Sequence, residues 1–208
     1  NAFANNYKNR IQMLTVGITG GTGSGKTTIL ELLKKEFGEN DIGFISQDSY
    51  YNDNGNLSFD EKNKINFDHP DAVDFELMIN HLNLLKNGKN INQPIYSFIY
   101  HNRTKKIKLV KPKKIMIIEG ILILNNIKLR DLMDYKVFVD ATENLRFKRR
   151  LDRDINQRGR IAEEVIELFN TRLNKMHNLY VEPMKEFCDI IIDNNNKVDS
   201  LEITPLIE

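Results

Sequence analysis

Cysteine is almost absent from this chain: Cys188 is the only one among its 208 residues. A single thiol excludes an internal disulfide and a structural zinc site built from cysteines. The chain is nevertheless long enough to bury a full hydrophobic core without such cross-links. Because a chain of this size without disulfides is typical of reducing compartments, we expect a cytoplasmic location.

Strong net charge and long apolar segments are lacking as well. The chain has 30 Lys and Arg against 29 Asp and Glu, which gives a formal net charge of +1. This balance provides no bulk attraction to nucleic acid or to an anionic membrane, so neither partner is expected. The longest apolar runs, 115–118 and 121–124, are too short to span a bilayer. Segment 1–12 has no signal-peptide core, and we expect it to be disordered or a remnant of expression.

Strand-like and helix-like segments alternate along the rest of the chain. The predicted strands are 13–19, 42–46, 115–118, 135–141 and 188–193, and the predicted helices are 27–37, 74–88, 143–157 and 161–187. This alternation predicts an α/β fold, a three-layer α/β/α parallel sheet in a single domain over 13–208. Residues 94–112 break the rhythm and predict a small β-hairpin flap outside the main sheet.

A glycine-rich segment, GGTGSGKTT, follows the first predicted strand and opens the first predicted helix. It fits the pattern G-x-x-x-x-G-K-[ST], in which backbone N–H groups surround phosphate oxygens. This context identifies a P-loop for a nucleoside triphosphate, with Lys26 at the β- and γ-phosphates and the Thr27 hydroxyl on Mg²⁺. The predicted nucleotide-binding residues are Gly20, Gly21, Thr22, Gly23, Ser24, Gly25, Lys26, Thr27 and Thr28.

Two acidic residues follow predicted strands and are candidates for chemistry at the γ-phosphate. Glu119 comes directly after the apolar run 115–118, and Asp48 comes two residues after the predicted strand 42–46. Ligands bind at the carboxyl ends of strands in open α/β sheets, so both side chains are expected there. Glu119 is predicted to support the metal, and Asp48 to accept a proton from an acceptor hydroxyl.

Other segments offer groups suited to an acceptor molecule. Asp68 and His69 precede a proline, and the Asp68 carboxylate can accept two hydrogen bonds from vicinal sugar hydroxyls. The segment PIYSFIYHNR, residues 94–103, carries aromatic faces beside His101, which suit a flat heterocycle. Cross-strand stabilisation of a hairpin is the alternative explanation for those aromatic residues.

Arginine is concentrated between residues 145 and 160. The simpler interpretation is a solvent-exposed helix face, and the alternative is a mobile lid, at about 145–165, that closes over the phosphates. The glycine between Arg158 and Arg160 favours the lid, because it offers a hinge.

These segments together resemble the uridine kinase (uridine–cytidine kinase) family of P-loop nucleoside kinases. The resemblance covers about 14–192 and rests on six blocks in the family's order and approximate spacing: GGTGSGKTT, QDSYY, NFDHPDAVD, PIYSFIYHNR, IIEGIL and RDINQRGR. It implies transfer of the γ-phosphate of ATP or GTP, with Mg²⁺, to the 5′-hydroxyl of uridine or cytidine, a step of pyrimidine salvage. The family is commonly tetrameric, which implies a homo-oligomer here.

The resemblance also assigns residues by position. Asp48 matches the family's catalytic base, and Thr27, Asp48 and Glu119 match the metal surroundings. The residues that match the nucleoside site are Asp48, Tyr51, Asp68, Tyr96, His101 and Arg150. The lid arginines near the phosphates are matched by Arg153, Arg158 and Arg160. The predicted catalytic residues are therefore Lys26, Asp48, Arg153 and Arg158. Arg158 and Arg160 are also predicted to contact the nucleotide.

The chain departs from the family pattern at three places. Ser97 replaces an aspartate after the hairpin tyrosine, Leu168–Phe169 replaces a Gln-Tyr pair, and residues 193–199 replace a Pro-Arg-Gly-Gly loop. These departures leave open the choice between uridine and cytidine and between ATP and GTP. Feedback inhibition and oligomeric state are open too. The alternative functions are a kinase for another hydroxylated metabolite, such as a sugar phosphate or pantothenate, and a non-catalytic nucleotide-binding switch.

Overall fold

The structure is a computed structural model that describes residues 13–38 and 40–196. Its strands are β1 (Leu14–Thr19), β2 (Ile42–Ser46), β3 (Ile91–Ser97), β4 (Asn102–Val110), β5 (Ile115–Glu119), β6 (Tyr135–Asp140) and β7 (Ile190–Asp193). Its α-helices are α1 (Lys26–Phe37), α2 (Phe59–Asn63), α3 (Phe75–Lys86), α4 (Ile127–Arg130), α5 (Glu143–Arg158), α6 (Ala162–Leu168) and α7 (Asn174–Met176). Segment 1–12, the end of the predicted domain after 196 and the rest of the polar run 193–200 lie outside the described residues.

The main sheet has five parallel strands in the order β2-β5-β1-β6-β7. Helix α1 packs on one face through Ile29 and Leu33, and α3 packs on the other face through Leu82 and Leu85. Strand β5 is buried on both faces, as its continuous apolar sequence predicts, although β1 and not β5 is the central strand. The predicted α/β fold with a parallel sheet is confirmed.

The second sheet is the antiparallel hairpin β3–β4, which begins three residues before the predicted flap. Its base is anchored in the core by Ile91 and Val110, while most of β4 is exposed. Asp74 caps α3, since its side chain accepts a hydrogen bond from the Leu77 N–H at 3.0 Å. The hairpin therefore stands on the core and carries its tip toward the carboxyl ends of the main strands.

The last predicted helix is a continuous helical path whose winding changes. After α6 it is π-helical over Phe169–Leu173, α-helical in α7, π-helical again over His177–Val181 and a 3-10 helix over Glu182–Phe187. Shorter 3-10 turns at Gln47–Tyr50 and Pro70–Ala72 were not predicted. Within the described residues, no helix combines the length and the apolar character needed to cross a bilayer.

Candidate active site

The glycine-rich loop, residues 20–28, connects the carboxyl end of β1 to the start of α1. Its backbone needs glycine at Gly20, which has a φ of 143°. A Cβ atom there would lie 2.3 Å from the carbonyl oxygen of Val139 on the neighbouring strand. Gly25 has a φ of 99° at the N-cap of α1, so the loop turns directly into the amino end of the helix.

Lys26 lies over this loop. Its ammonium group donates to the carbonyl oxygens of Gly20 at 2.9 Å and Gly21 at 3.1 Å. Burial lowers the pKa of Lys26 to about 8, against the opposing charges of Glu119 and Asp48. A cation is therefore placed at the loop with two carboxylates close to it.

Two side chains to which the sequence analysis gave no role, Arg149 and Asn194, support the glycine loop through hydrogen bonds. The carbonyl oxygen of Ser24 accepts hydrogen bonds from the Asn194 amide at 2.7 Å and from Arg149 at 3.3 Å. Arg149 also donates to the Asn194 carbonyl oxygen at 3.1 Å. Asn194 belongs to the polar run after β7, which carried no recognisable signal beyond its departure from the family loop. The buried contact shows that this run supports the phosphate loop.

Asp48 and Glu119 lie at the carboxyl edge of the sheet, as predicted. Ser46 and Glu119 are register partners at the ends of β2 and β5, and Asp48 follows on the turn after β2. Burial and the Asp48 charge raise the pKa of Glu119, while the Ser46 hydroxyl and the Lys26 charge act in the opposite direction. The charges of Asp48, Glu119 and Lys26 therefore interact with one another.

This arrangement fits Mg²⁺. Thr27 is the second residue of α1, so its hydroxyl and the carboxylates of Asp48 and Glu119 are the available oxygen ligands. The described residues contain no cluster of three or more histidine, cysteine or acidic side chains able to hold a metal by themselves. Mg²⁺ is usually bound by one or two carboxylates together with substrate phosphates and waters, which suits a pair of carboxylates beside a phosphate loop.

Asp68 is half-buried on the acceptor side of Asp48. Burial raises the pKa of Asp68, and the positive charges of Arg150 and Arg172 oppose that shift. The Asp48 charge acts on it too, which places the two acids in one site. Its neighbour His69 has a supporting role: the ring accepts from the Asp71 N–H at 3.2 Å and is 2.7 Å from the Tyr180 hydroxyl.

Five rings from three segments form an aromatic cage beside Asp68: Tyr51, Phe67, Tyr96, Phe98 and His101. The ring centroids of Tyr51 and Tyr96 are 5.2 Å apart. Phe67 and His101 stack with a 5.2 Å centroid distance and a 16° interplanar angle. Tyr100, at the hairpin tip, is 69% exposed and stands apart from the cage. Phe67 was missed, although it directly precedes Asp68 in the segment already singled out.

The cage contains two polar groups. The Tyr96 hydroxyl is buried and has no hydrogen-bond partner among the described residues. Burial lowers the pKa of His101, and the positive charges of Arg160 and Lys62 act in the same direction. His101 is therefore neutral near pH 7 and can both donate and accept a hydrogen bond. Its φ of 49° is the only positive value outside glycine in the described residues.

The arginines of α5 do not form a solvated face throughout. Arg146 and Arg150 are buried, and Arg150 donates to the Thr22 hydroxyl of the glycine loop at 2.7 Å. Further along, the Arg158 guanidinium lies 5.1 Å from the centre of the Phe98 ring. Gly159 ends the helix with a φ of 65°, where the sequence predicts a hinge. The helix thus spans the distance from the phosphate loop to the aromatic cage.

Residues at each of the three departures from the family pattern make local contacts in the structure. The Ser97 hydroxyl accepts a hydrogen bond from the Tyr100 N–H at 3.3 Å and so stabilises the hairpin turn. Phe169 is buried and packs on Phe147 with a centroid distance of 4.9 Å. The first residues of the polar run after β7 bind the glycine loop through Asn194.

A parallel α/β sheet with a glycine loop between its central strand and the first helix defines the chain as a P-loop nucleotide-binding protein. Comparison with known families narrows this class. The model of the phosphoribulokinase/uridine kinase family matches residues 15–200. The chain therefore belongs to the phosphoribulokinase/uridine kinase family.

Comparison with individual relatives supports this family assignment. The chain is similar to a uridine kinase of Clostridium perfringens, with 48% identity over 185 residues that cover 88% of this chain and 89% of the relative. A uridine kinase of Listeria monocytogenes is 45% identical over 179 residues, 86% of each chain. Among solved structures, phosphoribulokinase from Rhodobacter spheroides shares the fold, with a TM-score of 0.66, 17% identity and coverage of 91% of this chain and 73% of that one.

Proposed function

We propose that this protein transfers the γ-phosphate of ATP or GTP to the 5′-hydroxyl of uridine or cytidine. The observation that carries the proposal is the position of Asp48. Its charge acts on Lys26 at the phosphate loop and also on Tyr51 and Asp68 at the opposite side. A proton acceptor placed between a phosphate site and a hydroxyl-binding site is what phosphoryl transfer to an alcohol needs.

The donor half of the site consists of the glycine loop, residues 20–28, with Lys26 and the lid arginines. Loop N–H groups and Lys26 bind the triphosphate, and Arg153 and Arg158 stabilise charge on the transferring group. Thr27, Asp48 and Glu119 would hold Mg²⁺, which neutralises charge on the β- and γ-phosphates when bound. ATP and GTP share these phosphate groups, so the donor half leaves the choice between them open.

The acceptor half consists of the aromatic cage, Asp68 and Arg150. The cage provides faces for a pyrimidine ring, and the Tyr96 hydroxyl and neutral His101 provide hydrogen bonds to its edge. The Asp68 carboxylate accepts hydrogen bonds from the vicinal ribose hydroxyls. A base-binding cage next to a hydroxyl-binding acid favours a nucleoside over a sugar phosphate, which would need an additional anion site.

The proposed step is an in-line displacement. The Asp48 carboxylate accepts the proton of the 5′-hydroxyl while the 5′-oxygen of the nucleoside forms a bond to the γ-phosphorus. The bond between that phosphorus and the β,γ-bridging oxygen breaks, and the nucleoside diphosphate leaves with the electron pair. Lys26 and the lid arginines stabilise the negative charge that is spread over the transferring group.

The test is ADP release with ATP and Mg²⁺ against a panel of acceptors: uridine, cytidine, adenosine, ribulose 5-phosphate and pantothenate. We expect turnover with uridine or cytidine and background rates with the others. Turnover with ribulose 5-phosphate or pantothenate alone would keep the kinase chemistry and reject the nucleoside. ATP binding without turnover of any acceptor would support a nucleotide-binding switch instead.

Three further properties belong to the same proposal. The single domain over 13–208 carries both halves of the site, with the hairpin and α5 as its movable parts. The chain assembles into a homo-oligomer, a tetramer by resemblance to the family. The lone Cys188 supports a cytoplasmic location, since the chain needs no oxidising compartment.

A further inference from the structure

A single carboxylate on α5 is surrounded by the arginines assigned to the lid. Asp154 is fully buried, with 0% exposure. Its two oxygens lie 2.8 Å from Nε of Arg150, 3.1 Å from Arg153 and 3.4 Å from Nη1 of Arg158. Its main-chain carbonyl also accepts the N–H of Arg160 at 3.0 Å, in the turn that ends the helix. Every arginine with a proposed role therefore contacts this one residue.

These arginines reach different parts of the site. Arg150 extends from Asp154 to the Thr22 hydroxyl of the glycine loop. Arg153 lies close enough to Lys26 for its charge to lower the pKa of that lysine. Arg158 extends over Phe98 of the aromatic cage. Asp154 thus anchors three arginines that reach the glycine loop, the surroundings of Lys26 and the aromatic cage.

Electrostatics explains why such an anchor is needed. The mutual repulsion of Arg150, Arg153 and Arg158 opposes their gathering, and burial of Arg153 adds to the penalty. One shared carboxylate offsets part of this repulsion. It accepts charge-assisted hydrogen bonds from Arg150 and Arg153 and forms an ion pair with Arg158. Asp154 carries one negative charge against the three guanidinium groups that contact it, so these four side chains together keep a net positive charge.

We infer that Asp154 is a positioning residue for phosphoryl transfer, which holds the lid arginines at the distances that the donor and acceptor halves require. This inference rests on the proposed function of Arg150, Arg153 and Arg158. It goes beyond a role in folding, because it predicts that loss of the Asp154 charge acts on turnover through these arginines.

The chain offers a matched control on the same helix. Asp152 is exposed, and its side chain accepts a hydrogen bond only from the Asn156 amide, at 2.8 Å, among the described residues. Asp154→Asn and Asp152→Asn therefore make the same change of charge two residues apart. We expect Asp154→Asn to lower kcat with uridine by about tenfold to a hundredfold, the usual effect of misplaced catalytic groups. Asp152→Asn should stay within about twofold of the parent protein.

A double-mutant cycle separates positioning from a general effect on folding. Arg153→Ala is made alone and together with Asp154→Asn, and kcat is measured at a temperature at which each variant is folded by circular dichroism. If Asp154 acts through Arg153, its loss should lower kcat distinctly less when Arg153 is already absent. Independent, multiplicative effects, or wild-type kcat in Asp154→Asn, would overturn the inference.

The same cycle is measured by calorimetric binding of Mg·ATP, which needs no nucleoside. Asp154→Asn should weaken this binding by about tenfold, and by less in the Arg153→Ala background. If the parent protein fails to use uridine, the proposed function fails while the binding cycle still decides the role of Asp154. If Asp154→Asn does not fold, Asp154→Glu replaces it: its extra methylene shifts the guanidinium groups, so about tenfold weaker binding is expected and unchanged binding contradicts the inference.

Discussion

The donor and acceptor halves of the site differ in how the chain builds them. The donor half is local: nine consecutive residues, 20–28, form the glycine loop, and the Lys26 ammonium group donates to two of its carbonyl oxygens. The acceptor half brings side chains together from distant segments, from Tyr51 through Asp68 to the hairpin tip at His101. One half depends on backbone conformation, and the other on the tertiary packing of rings.

This difference determines how each half should respond to substitution. In the donor half, a change that distorts the backbone affects every phosphate contact together. In the acceptor half, each side chain contributes its own contact, so single substitutions should remove one interaction and leave the rest. Asp48, which faces both halves, should show the largest effect of all.

Asp48→Asn tests the junction between the halves. It removes the proton acceptor without altering the loop, so we expect kcat to fall by about two to four orders of magnitude with ATP affinity nearly unchanged. Steady-state kinetics and calorimetry with ATP provide the two measurements. Asp53→Asn is the control: Asp53 is exposed in the same connection, and within the described part of the chain its side chain accepts a single turn hydrogen bond, from Gly55. Near-normal turnover of Asp48→Asn would contradict the proposed role of Asp48 as the proton acceptor.

Gly20→Ala tests whether the donor half depends on its backbone. The added Cβ would clash with the Val139 carbonyl at a φ of 143°, so we expect stability to fall by about 2–4 kcal/mol and ATP affinity to fall more than about tenfold. Gly38→Ala is the control: its φ is 76°, but no atom of the described residues lies within 4 Å of the added atom. It should cost about 1 kcal/mol, from backbone strain alone, with normal ATP affinity. Equal effects of the two changes would contradict the account.

Asp68→Ala tests whether the acceptor half is separable from the donor half. Loss of the carboxylate should raise KM for uridine by about tenfold to a hundredfold and leave KM for ATP unchanged. Asp60→Ala, at the exposed start of α2, provides the matched control. A KM for uridine that stays at the parent value would show that Asp68 does not bind the nucleoside.

The pH dependence of ATP binding tests the role of Lys26. Its pKa is lowered to about 8, so in the free protein it is charged below that pH and becomes neutral above it. Bound phosphates favour the charged form, so affinity for ATP should fall by about tenfold between about pH 7 and pH 9. Lys26→Met, which cannot titrate, should bind weakly and lose this step. A step that persists in Lys26→Met would assign it to another group.

Tyr96→Phe should have the smallest effect and sharpens the description of the cage. Because the Tyr96 hydroxyl is buried without a partner among the described residues, its removal should not lower the melting temperature. If the hydroxyl binds the base, KM for uridine should rise by about threefold. Tyr100→Phe at the exposed tip is the control, and an equal KM for the parent and both variants would leave the Tyr96 hydroxyl without a function.

The same difference explains what could be predicted from the sequence. The strands of the parallel sheet, helix α1 and the glycine loop follow from local periodicity and a short motif, and their predicted bounds differ from the structure by at most two residues. Helix α2 was missed although Ser58 and Glu61 form a capping box, a signal that was present in the sequence. The π-helical turns after α6 have no comparable sequence signal.

The acceptor half was predicted only as a set of candidates. Tyr96 and His101 were assigned by resemblance, because their aromatic pattern alone is more typical of a hairpin stabilised by cross-strand contacts. Their meeting with Phe67 depends on how the hairpin packs against the segment before α3, which no local pattern specifies. The ion pairs of Asp154 were partly predictable, because Arg150 lies four residues away on the same helix. Its burial among three arginines required the fold.

The central claim is that the two halves join a γ-phosphate to a nucleoside 5′-oxygen. The most direct measurement is ³¹P NMR of the product after the protein has acted on ATP, Mg²⁺ and uridine. A new phosphate monoester split into a triplet, as expected for phosphorus on the CH₂ oxygen of C5′, is the predicted result. A doublet from a secondary ester, or inorganic phosphate alone, would contradict the account.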